Sequence, residues 1–185
     1  MKNSRRDFIK AGALGAAVAA AGLPAVSLAG DRLRQGKPQN PLDILILGGT
    51  GFIGPHMVRE ALRRGHSVTL FNRGRSNNKL FPDLETIKGD RDNGLDGLKG
   101  RKWDAVIDNS GYVPRHVQDS ARLLAPNIGR YLYISTVSVY ADYSITNYED
   151  SPLATIADET VEEVTGETYG ALKALCEKRA AAEFD

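Results

Sequence analysis

A glycine-rich loop between an apolar segment and an amphipathic segment constrains this chain more than any other feature. Residues 42–47 form an apolar run, G-G-T-G-F-I-G follows at 48–54, and apolar side chains then recur at helical spacing through residue 64. This pattern is typical of a buried strand, a tight turn and a helix. Glycines permit backbone angles that a side chain blocks, and a helix N-terminus presents free amides to an anion. The sequence therefore predicts a pyrophosphate site, and the alternative is an ordinary turn without a ligand.

Strand-like and helix-like segments alternate along the rest of the chain. We predict strands at 42–47, 66–71, 84–88, 105–107 and 131–135, and helices at 52–64, 115–124 and 167–184. Strands separated by helices predict an α/β protein with a doubly wound parallel sheet that is covered on both faces. Residues 141–164 are polar and acidic, which favours a surface loop over a site.

The N-terminus has the features of an export signal. The pattern S-R-R-D-F-I-K at positions 4–10 precedes an uncharged stretch at 11–30, and it is similar to the twin-arginine (Tat) signal. We predict a Tat signal peptide at 1–29 that is cut after Ala29, a polar linker at 30–41 and a folded, incomplete dinucleotide-binding domain at 42–185. The protein is then periplasmic or otherwise exported through the Tat machinery. An uncleaved membrane anchor is the alternative.

Charge and the rarer residue types argue against several classes of function. The formal net charge is +1, too small for a non-specific nucleic-acid footprint, so we expect no nucleic-acid partner. Cys176 is the one cysteine of the chain, which excludes an intramolecular disulfide and a cysteine-rich zinc site. The histidines at 56, 66 and 116 lack metal-ligand spacing, so we expect no metal. We assign Cys176 and Trp103 to packing, and His56 and His116 to packing or the helix surface.

The residues after the second and third predicted strands indicate which dinucleotide binds. An NAD site usually has Asp or Glu after the second strand, about 20 residues beyond the glycine loop. This chain has Asn72 there, followed by Arg73 and Arg75. A guanidinium pairs with a 2′-phosphate, whereas a carboxylate repels it, so we predict NADP first and NAD second. The alternative is that Arg73 and Arg75 are solvated loop residues that bind no ligand. Asp90, after the third strand, is expected to accept a hydrogen bond from the adenine amino group.

From about residue 42 to its C-terminus the chain resembles the extended short-chain dehydrogenase/reductase superfamily, of the NAD-dependent epimerase/dehydratase type. The resemblance is carried by G-x-x-G-x-x-G at 48–54, by the pair Tyr169-x-x-x-Lys173, and by Thr136, which alignment on Val139-Tyr140 puts in the catalytic hydroxyl position. It implies a Rossmann fold that stops before the family's C-terminal substrate-binding part. It also implies the catalytic residues Thr136, Tyr169 and Lys173. The predicted cofactor contacts are Gly48, Thr50, Gly51, Phe52, Ile53, Gly54, Asn72, Arg73, Asp90, Arg91, Ser110, Gly111, Tyr169 and Lys173.

The resemblance further implies a mechanism. A spacing of four puts Tyr169 and Lys173 on one helix face. Lys173 is expected to bind the nicotinamide ribose and favour the tyrosinate, Tyr169 to exchange a proton with a substrate oxygen, and Thr136 to hydrogen-bond that oxygen. Two features depart from the pattern. Asp108-Asn109-Ser110-Gly111 stands where the family often has His-x-Ala-Gly, and segments 72–74, 89–92 and 103–104 also look similar to an atypical branch that includes chloroplast stem-loop RNA-binding proteins.

We therefore expect an epimerase/dehydratase-like enzyme that acts on a sugar or nucleotide sugar. Free NADP is not expected outside the cytoplasm, so a cofactor loaded before export and kept bound suits a reaction without net redox change. The alternatives are a simple NADP-dependent carbonyl reductase and a non-catalytic nucleotide-binding protein. Because the family continues well beyond its catalytic helix, we expect this chain to be an N-terminal fragment. For the complete protein we expect a homodimer and a small, sugar-like substrate.

Overall fold

The structure, a computed structural model, describes residues 40–184. Five parallel strands form one sheet in the order β3-β2-β1-β4-β5. The strands are β1 (Asp43–Leu47), β2 (Ser67–Asn72), β3 (Thr86–Lys88), β4 (Trp103–Asp108) and β5 (Ile128–Tyr133), and the helices are α1 (Gly54–Arg63), α2 (Pro114–Leu124) and α3 (Tyr169–Ala181). The predicted doubly wound parallel sheet is confirmed.

The central strand β1 is buried on both faces of the sheet. Leu45 packs in one cluster with Leu124 of α2, whereas Ile46 packs in a second cluster with Val58 of α1. Because both faces are covered, the strand is apolar at successive positions instead of alternating with polar residues. The continuous run that marks β1 in the sequence is thus a direct consequence of its central place.

Helix α3 lies on the same face of the sheet as α2 and is deeply buried. Residues 171–176 are all buried, and the helix packs against α2 and against a 3-10 turn at Val137–Val139. Cys176 and Ala180 contact Val117 of α2. The assignment of Cys176 to packing is confirmed, as is that of Trp103, which is buried at the start of β4.

The last strand differs from its prediction in position and in which side chains it buries. It spans Ile128–Tyr133, so it begins three residues and ends two residues earlier than expected, and Tyr131 and Tyr133 face the helices. Leu132, although apolar, is 55% exposed. Strand side chains alternate between faces, and in the part of the chain that the structure describes no helix covers β5 on the Leu132 side.

The signal peptide predicted at 1–29 and most of the linker predicted at 30–41 lie outside the described residues. Between β5 and α3, residues 141–164 form no helix or strand beyond a bridge between Tyr140 and Leu153, as expected for a surface loop. Within residues 40–184, no helix has the length and apolar character needed to cross a membrane.

Candidate active site

The carboxyl ends of β1 and β2 border a cavity of about 340 Å³, together with the loops that follow β3 and β4. It lies where the sheet order reverses, because β1 is flanked by β2 on one side and by β4 on the other. Open α/β sheets bind ligands at such a place. Of the predicted cofactor contacts, Gly48, Thr50, Gly51, Asn72, Arg73, Asp90, Arg91 and Ser110 line the cavity. Phe52, Ile53, Gly54, Gly111, Tyr169 and Lys173 do not.

The glycine loop has the geometry that phosphate binding requires. Gly48 and Gly49 have φ values of +110° and +90°, which side chains disfavour. A Cβ on Gly54 would lie 2.8 Å from the Gly49 backbone, so α1 starts in contact with the turn. Phe52 is 94% exposed and is turned away from the packed core. This bare backbone at the start of α1 fits the close approach of a pyrophosphate.

Asn72, at the end of β2, directs its side chain into its own loop. Its Oδ1 accepts a hydrogen bond from the Gly74 amide at 2.8 Å, and its Nδ2 lies 3.5 Å from the Gly48 carbonyl oxygen. Arg73 and Arg75 are exposed and line the cavity beyond this turn. The end of β2 therefore offers two guanidinium groups and no carboxylate to a ligand.

Arg91 lines the cavity, but its guanidinium donates inwards. Nη1 and Nη2 each bind one oxygen of the Asp108 carboxylate, and Nη2 also contacts the His116 carbonyl oxygen at 3.1 Å. The Ser120 hydroxyl is a fourth contact. Arg91 is 8% exposed and Asp108 is fully buried. This pair accounts for the unusual aspartate at the end of β4, and it engages the guanidinium of Arg91 inside the protein.

The charge of this pair spreads to neighbouring groups. Burial alone lowers the pKa of Arg91, yet the Asp108 carboxylate outweighs it and keeps that pKa above its usual value. The Tyr131 hydroxyl donates to Asp108 at 2.7 Å, and burial followed by the Asp108 charge raises the pKa of Tyr131. Asp108 also accepts from the Ser110 amide at 3.2 Å, which fixes one wall of the cavity.

Lys173 is held in place by two backbone carbonyl groups. Its Nζ donates to the Gly111 oxygen at 2.9 Å and to the Ile134 oxygen at 2.7 Å, and it lies 4.1 Å from the centre of the Tyr133 ring. The residue is 3% exposed, and burial lowers its pKa. Gly111, predicted as a cofactor contact, thus serves as an anchor for the lysine.

Tyr169 opens helix α3, one turn before the lysine. Its ring is half-buried and lies 6.4 Å from the ring of Tyr112, which lines the cavity. A Cβ on Gly170 would meet the Ser138 carbonyl oxygen at 2.1 Å, so α3 begins directly against the 3-10 turn. Thr136 caps that turn by accepting a hydrogen bond from the Ser138 amide at 3.2 Å. Among the described residues, the Tyr169 hydroxyl has no hydrogen-bond partner.

An ionic cluster joins the acidic loop to the rim of the cavity. Arg115 of α2 binds Glu162 at 2.6 Å and Asp92 at 3.0 Å. The next residue, His116, lines the cavity, and burial lowers its pKa. The predicted loop over a site is therefore tied to α2, beside the loop that follows β3.

Sequence reasoning missed the pairing of Arg91 with Asp108 and the cavity residues Tyr112 and His116. Each lies just after a strand end or at the start of α2, where the topology gathers functional residues. Position in the chain was therefore the available signal. The sequence could not show that Arg91 pairs with Asp108, because β3 and β4 are separated by two strands in the sheet.

Comparisons with known proteins identify a similar family and similar structures. Residues 44–129 match the NAD dependent epimerase/dehydratase family, and residues 2–22 match the TAT (twin-arginine translocation) pathway signal sequence. A chloroplast stem-loop binding protein of 41 kDa b from Arabidopsis thaliana is 34% identical over 113 residues, 52% of this chain and 30% of that protein. A 2-alkyl-3-oxoalkanoate reductase from Stenotrophomonas maltophilia is 29% identical over 166 residues, 78% of this chain and 47% of that protein. The structure of MoeE5 in complex with UDP-glucuronic acid and NAD aligns with a TM-score of 0.57 and 24% identity, over 76% of this chain and 49% of that chain.

The fold and the glycine-loop cavity define a dinucleotide-binding domain of the Rossmann type. Its segment 44–129 matches the NAD dependent epimerase/dehydratase family, and the N-terminal match implies export through the Tat pathway. The chain spans 30% of the length of the Arabidopsis relative and about half of the length of the MoeE5 chain.

Proposed function

We propose that the complete protein is an NADP-dependent epimerase or dehydratase of a sugar or nucleotide sugar. In this proposal the chain supplies the cofactor site and the proton-transfer residues. The observation that carries it is Lys173, a buried lysine one helical turn beyond Tyr169 whose ammonium donates to the Gly111 carbonyl. Gly111 lies between Ser110 and Tyr112, which line the cavity. The charged lysine is thereby linked both to the dinucleotide site and to the helical turn that carries the phenol.

The proposed chemistry assigns one task to each catalytic side chain. When bound, the dinucleotide supplies hydride transfer. Tyr169 takes a proton from a substrate hydroxyl as that carbon is oxidised and returns it on reduction. Lys173 favours the tyrosinate form that accepts this proton, because its cation stabilises the negative charge of the phenolate oxygen. Thr136 hydrogen-bonds the same substrate oxygen by turning its hydroxyl hydrogen from the Ser138 hydroxyl, to which it donates at 3.3 Å, towards the substrate.

The preference for NADP rests on the end of β2. The Asn72 oxygen already accepts from the Gly74 amide, and the side chain has no negative charge with which to bind ribose hydroxyls. Arg73 and Arg75 lie beside it and are exposed. Two cations without a carboxylate favour a 2′-phosphate over a 2′-hydroxyl. The MoeE5 complex holds NAD, so NAD is the alternative that a binding measurement must separate.

We infer the substrate class from the similar MoeE5 structure and from the chemistry that a permanently bound cofactor allows. The MoeE5 complex contains UDP-glucuronic acid. The Tat pathway carries folded proteins, so a dinucleotide bound in the cytoplasm would travel with the enzyme. A bound cofactor that cannot exchange must be oxidised and reduced within one catalytic cycle, and epimerisation or dehydration of a sugar satisfies this condition.

Native mass spectrometry of the natural gene product, isolated from the periplasm without added nucleotide, tests the proposal. We expect one bound NADP per chain and removal of the signal after Ala29. The same mass reports the chain length and whether the complete protein is a homodimer. A product that is empty, and that cannot retain NADP or NAD after incubation, overturns the proposal. An uncut signal would instead support the membrane anchor.

Two further candidate functions are supported by particular relatives. A simple NADP-dependent carbonyl reductase is favoured by the Stenotrophomonas relative, which aligns with 78% of this chain. A non-catalytic nucleotide-binding protein is favoured by the Arabidopsis stem-loop binding protein. Steady consumption of added NADPH with a carbonyl substrate would identify the reductase. Tyr169→Phe should abolish turnover in either enzyme while leaving the bound nucleotide in place, and it should change nothing in the binding protein.

A further inference from the structure

Two chain segments that line the dinucleotide cavity are connected to each other twice. The loop after β3 contributes residues 89–91 to the lining, and the start of α2 contributes His116. The inner connection is made by the buried Arg91, whose Nη2 contacts the His116 carbonyl oxygen at 3.1 Å. The outer connection is made by Arg115 of α2, whose Nη2 donates to Oδ1 of Asp92 at 3.0 Å. A surface ion pair therefore joins the two segments beside the cavity.

Arg115 is also bound by the long loop that precedes α3. Its Nε and Nη2 donate to the two oxygens of the Glu162 carboxylate at 2.6 Å and 2.9 Å. Such a bidentate contact fixes the plane of the guanidinium, and a network of charges is worth more than an isolated surface pair. We call Arg115, Asp92 and Glu162 the rim cluster. It links the loop after β3, the start of α2 and the acidic loop through one guanidinium group.

The exposure of the rim cluster distinguishes it from the inner connection. The side chains of its three members are between 40% and 55% exposed, so solvent can replace their contacts without disturbing the core. None of the three lines the dinucleotide cavity. Loss of Arg115 would therefore loosen the two lining segments without removing a contact to the ligand.

We propose that the rim cluster controls how fast the dinucleotide enters and leaves the cavity, with Arg115 as the positioning residue. The loop after β3 can move away from α2 at the surface only when the pair of Arg115 with Asp92 breaks. Glu162 makes this less frequent, because it holds the guanidinium in place. An enzyme that carries its cofactor through export must release it slowly. The inference rests on the proposed function, and it deepens that function by naming the residues that keep the nucleotide bound.

Release of NADPH from the complete protein, chased with excess NADP and followed by nicotinamide fluorescence, tests the inference. We expect Arg115→Gln to release NADPH about three- to tenfold faster than wild type. Association should quicken by a similar factor, so the Kd should change by less than about twofold. Arg179→Gln is the matched control, because Arg179 of α3 is 42% exposed, pairs with Glu159 of the same acidic loop at 3.3 Å and does not line the cavity. It should change neither rate.

A double-mutant cycle tests whether Arg115 acts through Asp92. Asp92→Asn should also speed release, and Arg115→Gln/Asp92→Asn should release NADPH no faster than Arg115→Gln alone, because the same pair is already broken. Salt screens exposed pairs, so the ratio of the Arg115→Gln rate to the wild-type rate should shrink between about 0.05 M and about 0.5 M sodium chloride.

The outcomes separate this inference from the proposed function. If wild-type protein binds neither NADPH nor NADH, the proposed function and the inference both fail. If nucleotide binds and Arg115→Gln releases it at the wild-type rate, the dinucleotide site stands and the role of the rim cluster is refuted. Faster release with unchanged association and a weaker Kd would mean that the substitution damages the site itself, which also refutes the inference. Rate effects that multiply in the double variant would refute it as well, since Arg115 would then act independently of Asp92.

Discussion

Removal of Arg91 tests whether the buried ion pair below the cavity supports the site. In Arg91→Met a flexible apolar side chain of similar length replaces the guanidinium. The Asp108 carboxylate, which is fully buried, would then keep only the Tyr131 hydroxyl and the Ser110 amide as partners. A buried charge that loses its partner is strongly destabilising, because its lost hydration is no longer compensated.

The expected loss follows from the partners that remain. Breaking a buried pair lowers the free energy of unfolding by about 3–5 kcal/mol. Because Asp108 keeps two hydrogen bonds, the loss in Arg91→Met should lie at the lower end, about 3 kcal/mol. With a urea slope of about 2 kcal/mol per M, the unfolding midpoint should fall by about 1.5 M. Asp108→Asn should remove the stranded charge, so the double variant Arg91→Met/Asp108→Asn should lose much less than the two single losses combined. The coupling energy should be at least about 2 kcal/mol.

Urea unfolding followed by circular dichroism measures all three variants against wild type. Arg122→Met serves as the control, since it removes an arginine of α2 that is 62% exposed in its pair with Glu183, and it should shift the midpoint far less. A loss in Arg91→Met no greater than in this control, or losses that simply add in the double variant, would refute the reasoning. The pair would then be solvated and would not support the cavity.

Three further predictions concern other parts of the site. Gly170→Ala puts a methyl group 2.1 Å from the Ser138 carbonyl oxygen, so thermal unfolding should show a loss of about 1–3 kcal/mol, whereas Gly166→Ala, which meets nothing within 4 Å, should be neutral. Cys176 is fully buried and burial raises the pKa of its thiol, so alkylation at pH 8 should proceed only at the rate of unfolding; fast modification of folded protein would contradict the packing. Burial lowers the pKa of His116 below its ordinary 6.5, so the folded state binds this proton more weakly than the unfolded state. Stability should therefore be full above pH 6.5 and fall on acidification below it, and His116→Gln should reduce that fall; an identical pH profile in the variant would remove His116 as its cause.

The sequence predicts the fold where a pattern is set by local burial. The apolar run of β1 and the helical spacing of α1 are visible because a central strand and its covering helix are buried along their whole length. The last strand was misplaced for the opposite reason. On β5 the inward-facing residues are Tyr131 and Tyr133, whose hydroxyls reach polar partners, so the apolar residues that usually mark a strand interior do not mark its buried face.

In the candidate site, too, the local features could be predicted from the sequence and the long-range pairs could not. The glycine loop could be predicted because its backbone requirement falls on adjacent positions, and the Tyr169–Lys173 pair because one helical turn links its members. The pairing of Arg91 with Asp108 depends on the order of the strands in the sheet, which no local pattern in the sequence shows. Long-range partners of this kind are fixed by the tertiary structure alone.

The loop after β4 connects these separate features. Within four residues, the end of β4 and this loop carry Asp108, which binds Arg91, and Gly111, whose carbonyl accepts from Lys173 at 2.9 Å. Ser110 lies between them, lines the dinucleotide cavity and donates to the Leu47 carbonyl at the end of β1. A shift of this loop would therefore move the wall of the cavity and the anchor of the lysine together. Arg91, although it is distant from the phenol, is for this reason expected to influence both cofactor affinity and proton transfer through the position of Lys173.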